Sequence, residues 1–182
     1  MKFIPSDLPG VILITPDVFS DERGANWEVH HQGKFAANGI PHQFIQDNQS
    51  NSRRTVLRGL HYQLVKPQGK LVRAVQGKVY DVAVDLRRSS PFFGKWVGYI
   101  LSGRNKHQLW IPPGFAHGFY TLSSWACVSY KETDLYSSQN ERTLLWNDPR
   151  VAVKWPLIDG KAPMLSKRDA NAVALDKAEV FD

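Results

Sequence analysis

The residues of this chain that could move protons gather in two short stretches. One is Thr55-Val56-Leu57-Arg58-Gly59-Leu60-His61-Tyr62-Gln63-Leu64, with Lys70 close behind it. The other is Pro112-Pro113-Gly114-Phe115-Ala116-His117. The first alternates as a strand does, with Gly59, His61 and Gln63 on one face and Val56, Arg58, Leu60, Tyr62 and Leu64 on the other. A face that carries a histidine and a glutamine, with a glycine leaving room for something to approach, reads as a cavity wall. It reads equally as a surface strand with its polar side in water, and the strand alone does not choose. A histidine with an ordinary pKa of ~6.5 serves as a base near neutral pH, provided a carboxylate stands behind it to orient the ring.

Together the two stretches resemble a degenerate form of the metal-binding cupin pattern. That pattern places two histidines one residue apart, an acid shortly after, and a last histidine beyond a Pro-x-Gly turn. Here Gln63 stands for the second histidine and Pro67 or Gln68 for the acid, so only His61 and His117 remain. Two imidazoles without a carboxylate are a poor site for a divalent transition metal, and the expectation is a metal-free pocket. Of the carboxylates, Asp169 lies in Leu165-Ser166-Lys167-Arg168-Asp169, where Ser166 and Asp169 resemble a capping box with Asp in the usual Glu or Gln place. Locally, capping is the stronger reading. Tyr130 alternates with Val128 and by itself is a core tyrosine, and Lys70 by itself is a solvated turn lysine.

The elements that must hold these groups are mostly strands. Strand signals fall at Thr55–Leu64, Lys70–Gln76, Val79–Arg87, Trp96–Leu101, Gln108–Ile111, Gly118–Leu122 and Cys127–Thr133, divided by breakers such as Pro67-Gln68-Gly69 and Ser89-Ser90-Pro91. Short strands without long helices between them predict an all-β antiparallel sandwich or closed barrel, jelly roll included. Earlier, Val11–Ile14 reads as a first strand, Phe19–Gly24 as a charged turn leading into a strand at Trp27-Glu28-Val29, and Gln32–Gly39 as a short helix. Phe44–Gln49 reads as a strand that runs into a polar loop at Ser50–Arg54. After Pro156 the pattern turns polar and helix-prone, predicting a C-terminal helical segment over 157–182 with Ser166 capping Lys167–Ala174.

A length of 182 residues suits one domain, 1–182, and 42% hydrophobic with 22% charged residues makes it globular rather than disordered. Cys127 is the only cysteine, so no internal disulfide forms. No apolar run is long enough for a signal peptide or a membrane span, which predicts a cytoplasmic protein without membrane contact. The net charge of +6 and pI of about 9.5 favour an anionic partner. The basic residues are scattered, as in Arg53-Arg54 and Arg87-Arg88, with no clustered nucleic-acid patch, which favours a small phosphorylated ligand over nucleic acid.

Joined in order, the motifs resemble those of the dTDP-4-dehydrorhamnose 3,5-epimerase family. They are Asp21-Glu22-Arg23-Gly24, Phe44-Ile45-Gln46-Asp47-Asn48, Leu57–Gln63, Pro67–Arg73, Val79–Arg87, Ile111–Phe119, Trp146-Asn147-Asp148-Pro149 and Leu165–Asp169. The resemblance spans nearly the whole chain. It implies a jelly-roll, cupin-like barrel with a few short helices, and a cofactor-independent epimerase of a nucleotide-diphospho-4-keto-6-deoxy sugar. It also implies a homodimer that exchanges N-terminal strands, and a place in sugar-nucleotide biosynthesis for cell-surface polysaccharide. By matching motif it makes His61 the base, Asp169 its partner, Tyr130 the acid and Lys70 the group near the keto oxygen. Arg23, Glu28, Gln46, Asn48, Arg58, Arg73, His117 and Arg168 fall at substrate-binding positions.

Those residue types suit the chemistry. Carbons 3 and 5 both flank the C4 ketone, so either proton leaves an enolate that Lys70 can stabilise, while an acid on the other face completes inversion. One departure stands out: after Arg23-Gly24 the family pattern has an aromatic that packs on the thymine, and this chain has Ala25-Asn26 before Trp27. That predicts an altered base pocket. Four other readings stay open: an epimerase of a different nucleotide sugar, an enzyme inverting C3 only, a ketoisomerase on the same fold, and a non-catalytic sugar-nucleotide-binding cupin.

Overall fold

Alternation of apolar and polar side chains carries through into two antiparallel sheets packed face to face. The computed structural model describes residues 1–182. Its strands are β1 (Lys2–Pro5), β2 (Ile12–Thr15), β3 (Val18–Asp21), β4 (Gly24–Trp27), β5 (Gln46–Arg53), β6 (Leu57–Gln63), β7 (Lys70–Gln76), β8 (Lys78–Asp85), β9 (Trp96–Ser102), β10 (Gln108–Ile111), β11 (Phe115–Thr121), β12 (Trp125–Glu132) and β13 (Glu141–Thr143). One sheet runs β1-β2-β10-β7-β12-β5, the other β13-β6-β11-β8-β9, and β3-β4 stand apart as a hairpin. Between the sheets lies a core built from both, including Val72 and Val128 from the first and Val79, Phe115 and Phe119 from the second. This is the cupin-like jelly roll the sequence predicts.

Two outer faces are covered by chain rather than by sheet. Helix α1 (Gln32–Ala37), capped by the His31 side chain, buries Phe35 with Ile14, Leu71 and Trp110 on the outside of the six-stranded sheet. The C-terminal segment lies on the outside of the other sheet, where Leu144, Val151 and Leu175 pack against Leu60, Val82 and Val84. Full burial of one such side chain contributes ~1.5–3 kcal/mol, so three of them hold a segment with little regular structure of its own.

That segment corrects the expectation of a helical tail over 157–182. It holds a 3₁₀ turn at Ile158–Gly160 and one turn of helix, α2 (Lys167–Ala170), which stops four residues short of Ala174. The reason lies in Val173, whose backbone bonds with Thr143 and Leu145 and pulls the chain out of helical register. Buried Asp148 takes over the organising role, accepting from the backbone N–H groups of Arg150, Val151 and Leu175.

Other elements differ at their edges. The expected polar loop at Ser50–Arg54 is mostly strand, because β5 pairs residue by residue with β12 from Gln46 to Arg53. Its residues are poor strand formers that propensity reads as loop, and their polarity suits an edge strand whose inner side faces a cavity. The strand expected at Trp27–Val29 ends at Trp27, and β1 and β13 were not anticipated.

Candidate active site

Strict alternation in β6 would put Arg58 and His61 on opposite faces, yet both line one cavity of about 360 Å³ between the sheets. A bulge resets the parity. Against β11, His61 pairs with His117 and Arg58 with Phe119, so Gly59 and Leu60 together oppose the single residue Gly118. Gly59 sits at φ +124°, and a Cβ there would lie 2.6 Å from the Gly118 Cα and 2.8 Å from the His117 carbonyl oxygen. Only glycine fits.

His61 meets Asp169 at 2.6 Å, Nε2 to Oδ1. The carboxylate is delivered by α2, where Ser166 caps the Asp169 N–H through Oγ at 3.1 Å and donates its hydroxyl to Oδ2 at 2.8 Å. Backbone bonds from Leu57 to Met164 and from Met164 to Thr55 tie this segment to the start of β6. Capping and histidine orientation are thus one arrangement, not rival roles for Asp169. Burial pushes the Asp169 pKa up, but hydrogen bonding and charge from His61 and the Ser166 hydroxyl outweigh it and hold the carboxyl below its usual range. An ionised carboxylate only accepts, so Nε2 donates to it, and the neutral ring holds its lone pair on Nδ1.

The facing wall comes from the six-stranded sheet. Lys70 and Glu132 are register partners on β7 and β12 and form a largely buried ion pair. Glu132 also accepts from Asn48 Nδ2 at 2.7 Å, and Lys70 donates to Gln68 Oε1 at 3.1 Å. Two residues along β12 and on the same face, Tyr130 lines the cavity with the Lys70 ammonium 5.8 Å from its ring centroid. Burial first, then the Glu132 charge, raises its hydroxyl pKa, with Arg58 opposing, so the phenol keeps its proton. The cavity therefore has a histidine–carboxylate dyad on its five-stranded side and a protonated phenol beside a lysine on the other.

His117, beside His61, has a carboxylate of its own in Asp81 at 2.9 Å. Gln63, in the place of a cupin ligand, is occupied by the Lys66 and Leu135 carbonyls and the Ser137 N–H. No cluster of three or more His, Cys, Asp or Glu side chains is arranged to hold a metal ion.

Of the substrate-binding positions, Gln46, Asn48, Arg58 and His117 line this cavity. Arg73 does not: on β7 it alternates with Val72, a core residue between the sheets, and so faces outward. Arg168 is drawn to Glu141 at the cavity rim rather than into it. Arg23 and Glu28 lie away from the cavity, Arg23 at 85% side-chain exposure against Asp21 of the same hairpin and Glu28 against Lys34. Trp27 packs under the Lys106 ammonium, while the hairpin's exposed aromatic is Phe19, register partner of Asn26 and 71% exposed. Residues that sequence reasoning missed include Glu132, Asp81, Gln68, Phe119 and Glu141. The only available signal was parity, since Glu132 shares a strand face with Tyr130 and Asp81 opposes an apolar one.

The family model described as dTDP-4-dehydrorhamnose 3,5-epimerase matches residues 5–177. The chain is 53% identical to the dTDP-4-dehydrorhamnose 3,5-epimerase of Pseudomonas aeruginosa, over 100% of this chain and 99% of that one. It is 50% identical to the Shigella flexneri enzyme of the same name, again over 100% and 99%. Among solved structures it resembles the dTDP-6-deoxy-D-glucose-3,5-epimerase of Legionella pneumophila in complex with dTDP-4-keto-L-rhamnose. There the TM-score is 0.94 at 46% identity, covering 98% of this chain and 94% of that one.

Proposed function

The chain belongs to the dTDP-4-dehydrorhamnose 3,5-epimerase family, and from that premise we propose how its cavity inverts a dTDP-bound 4-keto-6-deoxy sugar at C3 and C5. It is an isomerase of sugar-nucleotide biosynthesis, converting dTDP-4-dehydro-6-deoxyglucose to dTDP-4-dehydrorhamnose. The observation that carries the mechanism is the placement of the His61–Asp169 dyad and of Tyr130 with Lys70 on opposite sheets of one cavity. His61 takes the proton from C3 or C5, and the electron pair moves onto the C4 oxygen as an enolate, which the Lys70 ammonium stabilises. Tyr130 returns a proton from the other face, which is what inversion requires. Arg58 and His117, with Gln46 and Asn48, hold the nucleotide sugar between the walls, and the polyanionic diphosphate suits the chain's net charge of +6.

The remaining positions fit a homodimer in which hairpin β3-β4 reaches the neighbouring subunit's cavity. Arg23 would meet the diphosphate there and Phe19 would stack on the base, filling the place left by Ala25-Asn26. The one-domain reading, with its N-terminal strands exchanged, and a cytoplasmic setting belong to the same proposal; no helix is long and apolar enough to cross a membrane.

Incubation with dTDP-4-dehydro-6-deoxyglucose in deuterated water, followed by NMR, tests the reaction: deuterium is expected at both C3 and C5. Exchange at C3 alone would make it a C3 epimerase, and no exchange would leave a binding protein. Co-expressed Arg23→Ala and His61→Asn chains test the dimer. Mixed dimers regain activity only where Arg23 serves the partner's site.

A further inference from the structure

The cavity holds one buried charge for which the reaction as described has no use. Glu132 sits at the end of β12 with its side chain 3% exposed, and it is clamped by Lys70 and Asn48. Lys70, at 12%, is fixed on its other side by Gln68, itself anchored through Nε2 to the Asp134 carbonyl at 2.9 Å. A buried ion pair is weak evidence of stabilisation, because desolvating both ions offsets most of their attraction. Its placement points to another role. Glu132 shares the cavity face of β12 with Tyr130 and is register partner to Lys70, so one carboxylate touches the electrophile and neighbours the acid.

We infer that Glu132 is a positioning residue for the reaction: its carboxylate holds Lys70 aimed into the cavity beside Tyr130, and its charge there sets the alkaline limit of activity. This deepens the proposed mechanism and rests on its roles for Lys70 and Tyr130. The ammonium would be costly to bury without a counter-ion, and the flexible lysine stem would be free to leave the oxyanion position. Glu132 acts on Tyr130 through its charge, after burial, in the direction that holds the phenol proton. The other charged or titratable groups lining the cavity around this pair are Arg58, His61 and Tyr62 from β6, His117 from β11, Tyr136 from the loop after β12 and Glu141 from β13. Only Glu141 adds negative charge, and it pairs with Arg168.

Glu132→Gln keeps the size and the hydrogen-bonding reach of the side chain and removes its charge. The alkaline limb of the kcat profile is expected to move down by about one pH unit, the low end of what a neighbouring charge does, with KM little changed. Glu132→Asp, which keeps the charge, should restore the limb. The tyrosinate absorbance of Tyr130 gives a second readout, without substrate, as the difference between each form and its Tyr130→Phe counterpart; it should rise at lower pH in Glu132→Gln. An unmoved limb and an unmoved tyrosine titration in a folded Glu132→Gln protein would overturn the inference, as would a loss equal at every pH. If the wild type shows no exchange at C3 or C5, the proposed reaction fails, and the tyrosine titration still decides the role of Glu132.

Discussion

Two histidine–carboxylate pairs stand side by side in this cavity, joined by the register of β6 and β11, and they are built in opposite ways. The His61 side chain is 30% exposed, and its carboxylate comes from a capped turn of helix with Ser166 satisfying the second oxygen. The His117 side chain is 9% exposed, its carboxylate comes from the middle of a core strand, and the second oxygen of Asp81 is buried without a partner. Their carboxyl groups respond oppositely: Asp169 is held below its usual pKa, whereas burial drives Asp81 above it despite His117. A histidine with a carboxylate is therefore not enough to mark a base. A base needs a partner that stays ionised and a ring open to the cavity, and of the two pairs His61–Asp169 combines the depressed carboxyl with the more exposed ring.

The largest expected effect breaks the comparison at the ring. His61→Asn should remove deuterium wash-in at both C3 and C5 by roughly 10²–10⁴-fold, the usual worth of a general base, in a protein that still folds. Loss at one carbon alone would show that a second base exists, with His117 the first to examine. Asp169→Asn should follow with a smaller loss in kcat than His61→Asn and little change in KM, because orienting a base contributes less than being it. Asp81→Asn should be milder and fall mainly on KM, because in the proposed mechanism His117 holds the ligand rather than moving its protons. An Asp81→Asn protein as slow in kcat as Asp169→Asn would exchange the roles assigned to the two pairs.

The chain makes one pair far more legible than the other. His61 announces itself as a histidine on a polar strand face, and the Lys70–Gln76 and Gln108–Ile111 strands read directly as short apolar-rich runs between turn signals. Asp81 was visible as the odd residue opposite Tyr80, Val82 and Val84, but alternation tells only which face a residue takes, not whether that face meets water or a barrel interior. Arg58 was placed on the wrong face because a bulge at Gly59-Leu60 is a tertiary feature, set by the close approach of Gly118. The C-terminal segment misled for a related reason. Helical propensity after Pro156 lost to burial against the sheet and to the Val173 bridge, and Asp169 reaches His61 through that irregular path. Arg23 was legible as a motif, yet its hairpin stands apart from both sheets and holds it away from the cavity.

The smallest expected effect is the one that separates the two carboxylates most cleanly, since it is a difference in sign. Asp169 is depressed in the folded protein, so it contributes stability above the usual carboxylate value of 3.8 that is lost as pH falls through the folded pKa. The melting temperature of Asp169→Asn should accordingly lie furthest below the parent near neutral pH and approach it on acidification. Asp81 is raised, so its contribution is present below 3.8 and lost as pH rises through the folded pKa. Asp81→Asn should then gain on the parent as pH rises, the opposite slope. For a chain of this length ~1 kcal/mol moves the midpoint by ~2–4 °C, so melts of the three proteins across the acid range resolve the contrast. Parallel slopes would mean that the orphaned oxygen of Asp81 is satisfied in solution, by a water bound beside His117, and that the two pairs differ in exposure rather than in ionisation.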